Sequence, residues 1–226
     1  MNKKLIYNYH SSNGRSSSGI IILRYRGGGH KYLYRKINCK SRIETRILTI
    51  EYDPNRTSFI CFTHSIKGKK YFILYSRGIK IGTLITTSNI NIGNSIVLEK
   101  ISLGSTIHNI EINLGKGGQL VKSAGCMSKI ISKDGNSVSI KLPSKKISSI
   151  NSKCYASLGQ VGNLKVLNNN NKNNKKAGYK RWIGKKPKVR GTAMNAVDHP
   201  HGGGKGKSSI GKKKPSTIWG YRKNKN

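Results

Sequence analysis

The sequence is poor in acidic residues and rich in basic ones. Its 226 residues include only 7 Asp and Glu against 44 Lys and Arg, which gives a formal net charge of +37. A folded protein with this charge repels itself unless a polyanion neutralises it. Each phosphate that pairs with Lys or Arg also releases condensed counterions. The charge therefore favours nucleic acid as the partner.

Other absences exclude further classes of protein. The four cysteines (Cys39, Cys61, Cys126 and Cys154) form no C-x-x-C pair, so neither a zinc ribbon nor a disulfide framework is predicted, and we expect reduced thiols. No run of about 18 apolar residues predicts a membrane span. No long 3.6-residue periodicity predicts a helix on a membrane surface. The first residues resemble neither a signal nor a transit peptide, so a complete chain is expected to work in the compartment that makes it.

Short alternating apolar segments dominate the first two-thirds of the chain and predict strands. Turns over residues 53–55, 67–69 and 133–136 would join them into antiparallel meanders, which can close into small barrels. We therefore predict a mainly β fold, with one barrel in residues 1–100 and a second in residues 101–167. The predicted strands are 20–25, 45–53, 58–64, 70–76, 105–113, 126–132 and 137–143.

The remaining residues, 168–226, predict a long basic extension. From Lys172 to the end there are 17 basic residues and one acid, Asp198. We expect this extension to be mobile alone and to acquire a shape when it meets nucleic acid. The Asn- and Lys-rich stretch 168–176 has low complexity and predicts a loop, and its composition also fits an AT-rich genome.

Three glycine clusters lie within basic sequence, at residues 27–29, 117–118 and 202–204. None has the spacing of a Walker loop or a dinucleotide fingerprint. Each cluster is either a flexible turn or a place where backbone N–H groups approach a phosphate, and the flanking cations favour the phosphate. Tyrosines and a tryptophan near these cations either pack in a barrel wall or stack on unpaired bases; they are Tyr25, Tyr32, Tyr34, Tyr179 and Trp182.

The stretch AMNAVDHPHGGGKGK, residues 193–207, holds Asp198, His199 and His201. A zinc site would need further ligands from elsewhere. Acid–base catalysis would need a nucleophile and an enclosed pocket, which lysines and glycines do not build. The alternative, a metal-dependent hydrolase, is weaker than a turn packed against RNA in which Asp198 orients an imidazole or a backbone amide. We expect no metal, no cofactor and no catalysis.

Seven blocks of sequence stand in a fixed order along the chain: GGGHK (27–31), EYDPNR (51–56), GSTIHNIE (104–111), GKGGQLVKSAG (115–125), LGQVGN (158–163), RGTAMN (190–195) and VDHPHGGG (197–204). In this order they resemble the L2 family of large-subunit ribosomal proteins. The resemblance implies an oligonucleotide-binding-type barrel followed by an SH3-like barrel, with basic extensions. It implies binding to large-subunit ribosomal RNA, support of the peptidyl-transferase region, and help in joining the subunits. Implied partners are neighbouring ribosomal proteins and the small subunit, with no membrane.

The predicted RNA contacts lie in these blocks and beside the glycine clusters. Three positions depart from the family pattern, because Lys122, Ala196 and Lys205 stand where the family usually has Arg, Pro and Glu, and the terminal arms are expected to be shorter. The predicted contacts are Arg24, Arg26, His30, Lys31, Arg35, Arg56, Lys116, Gln119, Lys122, Arg181, Trp182, Arg190, Met194, Asn195, Asp198, His199, His201, Gly202, Gly203 and Lys205.

Two further segments, LYRKI (33–37) and IGKKKPSTIWGY (210–221), are similar to the plastid branch of the family. Together with the AT-biased composition they predict an organellar ribosome, that of a plastid, and the composition also fits a non-photosynthetic plastid. A mitochondrial or bacterial origin is the alternative.

Overall fold

The computed structural model describes residues 5–9, 11–40, 43–166, 176, 178–206 and 209–221. The chain forms two compact units: unit 1 is Met1–His10 with Lys31–Lys176, and unit 2 is Ser11–His30 with Ala177–Asn226. Strands dominate unit 1, which confirms the mainly β prediction. Helices among the described residues are short, and none is long and apolar enough to cross a membrane.

The strands are numbered in chain order. They are β1 Ile6–Asn8, β2 Leu33–Arg35, β3 Thr45–Glu51, β4 Ile60–Ser65, β5 Lys70–Leu74, β6 Leu84–Ile85, β7 Ser95–Val97, β8 Thr106–His108, β9 Ile110–Glu111, β10 Gly118–Leu120, β11 Ser128–Asp134, β12 Ser137–Lys141, β13 Ile147–Asn151 and β14 Tyr155–Leu158. Unit 2 contains the one-turn helix α1 Tyr179–Trp182 and the 3-10 helix Gly191–Ala193, and a second 3-10 helix, Leu98–Lys100, lies in unit 1.

A four-stranded antiparallel sheet in unit 1 has the order β5-β4-β3-β6. Its strands bury one face because apolar residues alternate along them. Ile47 of β3 packs with Cys61, Ile79 and Ile85 in a small core. Burial raises the pKa of the Cys61 thiol to about 12, so this cysteine behaves as a small apolar residue. All four cysteines are free thiols.

A six-stranded sheet in unit 1 has the order β13-β12-β11-β8-β14-β7. The two-residue turn Gly135–Asn136 closes the β11–β12 hairpin, since Asp134 pairs with Ser137, and Gly135 supplies the positive φ of 54° that such a turn needs. Each fully buried Ile or Leu here contributes about 1.5–3 kcal/mol. This larger core consists of Ile96, Leu98, Ile101, Ile107, Ile110, Ile130, Val138, Ile140, Ile150, Cys154, Ala156 and Leu158.

His108 connects the two sheets within unit 1. Its Nδ1 donates to the Gly159 carbonyl at 3.0 Å, and the Ser76 hydroxyl, which follows β5, donates to its Nε2 at 2.9 Å. Ser76 also bridges Val161 in a strand-like pairing. Burial lowers the pKa of His108 to about 4, although the hydrogen bond to Gly159 opposes the shift. The ring is therefore a neutral part of the core.

Several sequence predictions need correction. Residues 20–25 form no strand; they belong to unit 2 and expose Ile20, Ile21, Ile22 and Leu23. The predicted strand 105–113 is split at Asn109, whose φ is 49°. The three-part division of the chain at 100 and 167 is not among these corrections and stays a prediction, and the first strand of the six-stranded sheet in chain order starts at Ser95.

Candidate RNA interface

In unit 2, the segment before His30 pairs with the segment after α1. Gly27 N–H donates to Gly184 O at 3.0 Å, His30 N–H to Trp182 O at 2.9 Å, and Lys186 N–H to Tyr25 O at 3.0 Å. A Cβ on Gly29 would lie 2.7 Å from the Gly184 nitrogen, so only glycine allows this approach of two backbones. The first glycine cluster thus joins two distant parts of the chain.

A concave groove of about 410 Å³ opens beside this pairing. Its cations are Arg15, Arg24, Arg26 and Lys186, and no acid lines it. The Arg24 guanidinium lies 5.4 Å from the centre of the Tyr25 ring, and one Arg15 nitrogen donates to Gly19 O at 2.9 Å. Gly27 and Gly28, both at positive φ, also line the groove. Cations and accessible backbone of this kind fit phosphate groups.

The backbone around His199 folds into a hydrogen-bonded turn. The N–H groups of Asp198 and His199 donate to Asn195 O at 3.0 and 3.3 Å, and Gly202 N–H donates to His199 O at 2.9 Å. A Cβ on Gly202 would collide with the Asn195 backbone, and one on Gly191 would collide with the His199 ring. The glycines before and after the histidines therefore permit close packing of the turn on itself.

Backbone amides fix the two imidazole rings. His201 N–H donates to His199 Nδ1 at 3.0 Å, and Ser216 N–H donates to His201 Nε2 at 2.9 Å. A ring nitrogen that accepts a hydrogen bond holds no proton, so in the neutral form of each ring the N–H lies on His199 Nε2 or His201 Nδ1, and no described residue accepts a hydrogen bond from either. The pKa of His199 is lowered by desolvation, and further by repulsion from His201, when that ring carries a second proton, and from Arg24. The ring centres lie 4.9 Å apart.

Asp198 does not orient these rings, contrary to the sequence prediction. Its side chain is exposed, and within the described part of the chain its carboxylate has no hydrogen-bond or salt-bridge partner. The backbone takes the role that was assigned to Asp198. Among the described residues, no group of three or more His, Cys, Asp or Glu is placed to hold a metal ion.

The other predicted contacts of unit 2 lie on its surface. Met194 and Arg24 are both half-buried. The exposed ones are Arg26, His30, Arg181, Trp182, Arg190, Asn195, Gly203 and Lys205. Sequence reasoning missed Arg15 and Lys186, which line the groove, and Ser216, which holds His201 from 15 residues away. The only feature of the sequence that could have indicated Arg15 and Lys186 is that both residues are basic.

Two predicted contacts of unit 1 are held by the buried carboxylate of Asp53. Arg56 Nε donates to Asp53 Oδ2 at 2.6 Å, and an Arg35 nitrogen lies 3.8 Å from Asp53 Oδ1. Asn55 N–H donates to the same Oδ1 at 3.1 Å. The motif EYDPNR therefore builds an ion-pair cluster inside the protein, and two of the predicted contacts, Arg35 and Arg56, have internal partners.

The second glycine cluster packs against Cys39. Gly118 N–H donates to Cys39 O at 3.0 Å, and Gly117 N–H donates to Glu111 Oε1 at 2.8 Å. Lys122 Nζ donates to Gly118 O at 3.2 Å and contacts Cys39 Sγ at 3.4 Å. By contrast, three predicted contacts of unit 1 are exposed: Lys31, Lys116 and Gln119.

Comparison with known families matches almost the whole chain. Residues 2–87 match the family described as "Ribosomal Proteins L2, RNA binding N-terminal domain", and residues 91–220 match "Ribosomal Proteins L2, C-terminal domain".

Plant proteins are among its close relatives. The "Large ribosomal subunit protein uL2c" of Ipomoea purpurea is 53% identical over 226 residues, covering 97% of this chain and 81% of the relative. The protein of the same name from Calycanthus floridus var. glaucus is 52% identical over 224 residues, with 96% and 81% covered. "Large ribosomal subunit protein uL2cz/uL2cy" of Nicotiana tabacum is 52% identical with the same coverage.

Proposed function

Because the chain belongs to the ribosomal protein L2 family and is a structural component of the large ribosomal subunit, we propose that unit 2 is its principal surface for large-subunit ribosomal RNA. In this proposal the basic groove and the His199 turn both contact RNA. Two exposed cations of unit 1, Lys31 and Lys116, add phosphate contacts. Arg35, Arg56 and Lys122 act mainly by holding the protein in shape.

One observation carries the proposal. None of the described residues of unit 2 is buried, and Asp198 is the only acid in that unit. A unit without a core cannot offset the entropy of folding by apolar burial, and its cations repel one another. Phosphates of a folded RNA would supply both the missing neutralisation and the missing contacts.

The His199 turn supports RNA by shape and hydrogen bonding, and we propose no enzymatic role for it. The two free donors, His199 Nε2–H and His201 Nδ1–H, can each bond a phosphate or base oxygen. Lone pairs on the other ring nitrogens are already engaged by backbone N–H groups. The turn would thereby stabilise RNA near the peptidyl-transferase region, with no metal and no cofactor.

The wider setting is also a proposal. We infer a plastid ribosome, supported by the flowering-plant relatives and by the AT-biased composition. Neighbouring ribosomal proteins would contact unit 1, and the protein would help the two ribosomal subunits associate.

Salt-dependent binding tests the proposal directly. Full-length protein with Arg24→Gln or Lys186→Gln should bind large-subunit ribosomal RNA with a salt slope lowered by about one unit per lost phosphate contact. Lys153→Gln, which removes an exposed cation of unit 1 outside the predicted interface, is the matched control. Unchanged slopes for both groove variants would reject unit 2 as the principal surface.

A second experiment distinguishes a structural role of His199 in RNA packing from a catalytic role. His199→Gln keeps one acceptor and one donor but cannot titrate near neutral pH. Ribosomes carrying it should form peptide bonds at a near-normal rate, whereas His199→Ala should impair the rate. Equal inactivity of both, in fully assembled subunits with unaltered RNA protection, would contradict a structural role.

A further inference from the structure

Four tyrosines share one face of the two-stranded ribbon β1–β2 in unit 1. The register pairs Tyr7 with Tyr34. One step further along the same antiparallel ladder, Tyr9 N–H donates to Tyr32 O at 3.3 Å. Because side chains alternate between faces with a period of two, Tyr7, Tyr9, Tyr32 and Tyr34 project from the same side.

Three of these four rings are exposed instead of packed in a barrel wall, and Tyr32 is half-buried. Tyr9 is 53% exposed, Tyr7 48% and Tyr34 38%. Tyr9 and Tyr34 are diagonal neighbours whose rings stack, with centroids 6.1 Å apart and planes inclined by 28°. A contiguous exposed aromatic patch marks an interaction surface.

The rest of the ribbon is anchored to its own unit. Arg35, on the opposite face, reaches the buried Asp53 at 3.8 Å. The carbonyl of Leu33 accepts a hydrogen bond from Asn55 Nδ2 at 2.7 Å. These contacts fix the ribbon without using the tyrosine face, so the rings are presented on a rigid support.

Charge indicates the kind of partner. Lys36 N–H donates to Leu5 O at 3.0 Å, which continues the ladder and places the exposed Lys36 side chain on the tyrosine face. The exposed Lys31 lies at the other end of the segment. Residues 5–9 and 31–40 contain no Asp or Glu. Aromatic rings beside the cation Lys36 suit unpaired nucleotides, whose bases stack while their phosphates bind the lysine.

We propose that the face formed by Tyr7, Tyr9, Tyr32 and Tyr34, here called the tyrosine platform, stacks unpaired bases of large-subunit ribosomal RNA. This inference rests on the proposed RNA-binding function and specifies one of its contacts. It assigns unpaired bases to the platform and phosphates to Lys36.

Binding of two probes to the full-length protein tests the platform: an oligoadenylate, and an abasic oligonucleotide of the same length. Tyr9→Leu and Tyr34→Leu should each weaken oligoadenylate binding by about 5- to 150-fold and leave abasic binding unchanged. Tyr9→Phe, which keeps the ring, should retain wild-type affinity. Tyr52→Leu removes a tyrosine outside the ribbon that is even more exposed, at 67%, and should have no effect.

The dependence on salt gives an independent readout. The tyrosine variants should lower affinity by the same factor at every salt concentration, because no phosphate contact is lost. Lys36→Gln should instead reduce the salt slope by about one unit. Far-UV circular dichroism of each variant verifies the fold.

Three results would overturn the platform: equal losses on both probes, a Phe variant as weak as the Leu variant, or Leu variants that bind both probes normally. Leu variants with normal binding that lose a neighbouring protein from assembled subunits would assign the face to a protein partner. Wild-type protein that fails to bind large-subunit ribosomal RNA would reject the proposed function itself. Wild-type binding to that RNA with unaffected platform variants would reject only the platform.

Discussion

The backbone conformations of the two units are stabilised by different interactions. Unit 1 buries a continuous set of isoleucines and other apolar side chains between antiparallel strands. Unit 2 has no buried residue among its described positions, 11–30, 178–206 and 209–221. Its turns depend instead on backbone hydrogen bonds and on glycines such as Gly29 and Gly191, where a side chain would collide with a neighbour.

We propose that unit 1 is stable by itself, whereas unit 2 needs a binding partner to be stable. Apolar burial outweighs conformational entropy in unit 1. In unit 2 the net contribution of each hydrogen bond is about 0.5–1.5 kcal/mol, and one acid, Asp198, faces a large excess of cations. We therefore propose that glycines and turns determine the backbone of unit 2, and that contacts with RNA supply the free energy that stabilises it.

The largest expected effect comes from deleting core volume in unit 1. Ile140→Ala should lower the free energy of unfolding by about 2–5 kcal/mol, because Ile140 is fully buried. Ile22→Ala makes the same chemical change at an exposed site of unit 2 and should stay within about 0.5 kcal/mol. Urea titration measures both. Similar losses for the two variants would mean that unit 2 has a core of its own.

The next effect is the pH dependence of unit 1. His108 has a pKa of about 4 in the folded state against about 6.5 when unfolded, so the unfolded chain binds the proton more tightly. The contribution is therefore fully present above pH 6.5 and is lost as the pH falls toward 4, by about 3 kcal/mol in all. His108→Gln should abolish this part of the pH dependence. An identical pH profile for wild type and variant would show that His108 is not held neutral.

A smaller effect is expected from filling the space beside His199. Gly191→Ala places a methyl group where the ring lies, so the turn must open and one ring contact to RNA is lost. Affinity for large-subunit ribosomal RNA should fall about tenfold, with no change in the unfolding of unit 1. Gly178→Ala is the control, because a Cβ there meets nothing within 4 Å. Equal RNA affinities of the Gly191→Ala and Gly178→Ala variants would show that the turn does not contribute to RNA binding.

The smallest effect distinguishes the cations of unit 1 from one another. Lys116→Ala should reduce the salt slope of RNA binding by about one unit, because this side chain is exposed. Arg56→Ala should destabilise unit 1 and leave the slope unchanged, since Arg56 is paired with Asp53. A slope lowered by Arg56→Ala, at unchanged stability, would restore Arg56 as a phosphate contact.

The same contrast explains what the sequence could and could not predict. Alternation located β3, β4 and β5 within a few residues because those strands have a buried face. It failed for residues 20–25, because this equally apolar segment belongs to unit 2, which has no buried residue among its described positions. The strands β13 (ISSIN) and β14 (YASL) were missed because both are short and their serines interrupt the apolar pattern.

For the candidate site, local sequence identified residues but not their partners. The composition around His199 predicted a turn without a metal, and the turn is there. That Ser216 would orient His201, or that Asp53 would engage Arg35, depends on tertiary contacts between separate segments. Spacing along the chain cannot reveal such contacts, so the sequence predicted Arg35, Arg56 and Lys122 as RNA contacts without showing their internal partners.

Amide hydrogen exchange tests the central claim most directly, on the full-length protein alone and in the assembled large subunit. The account predicts strong protection of β3, β8, β11 and β12 in both states. It predicts rapid exchange of residues 185–206 and 209–214 in the free protein, and protection of those residues in the subunit. Strong protection of the same residues without RNA would contradict it, because unit 2 would then be stable without a polyanion.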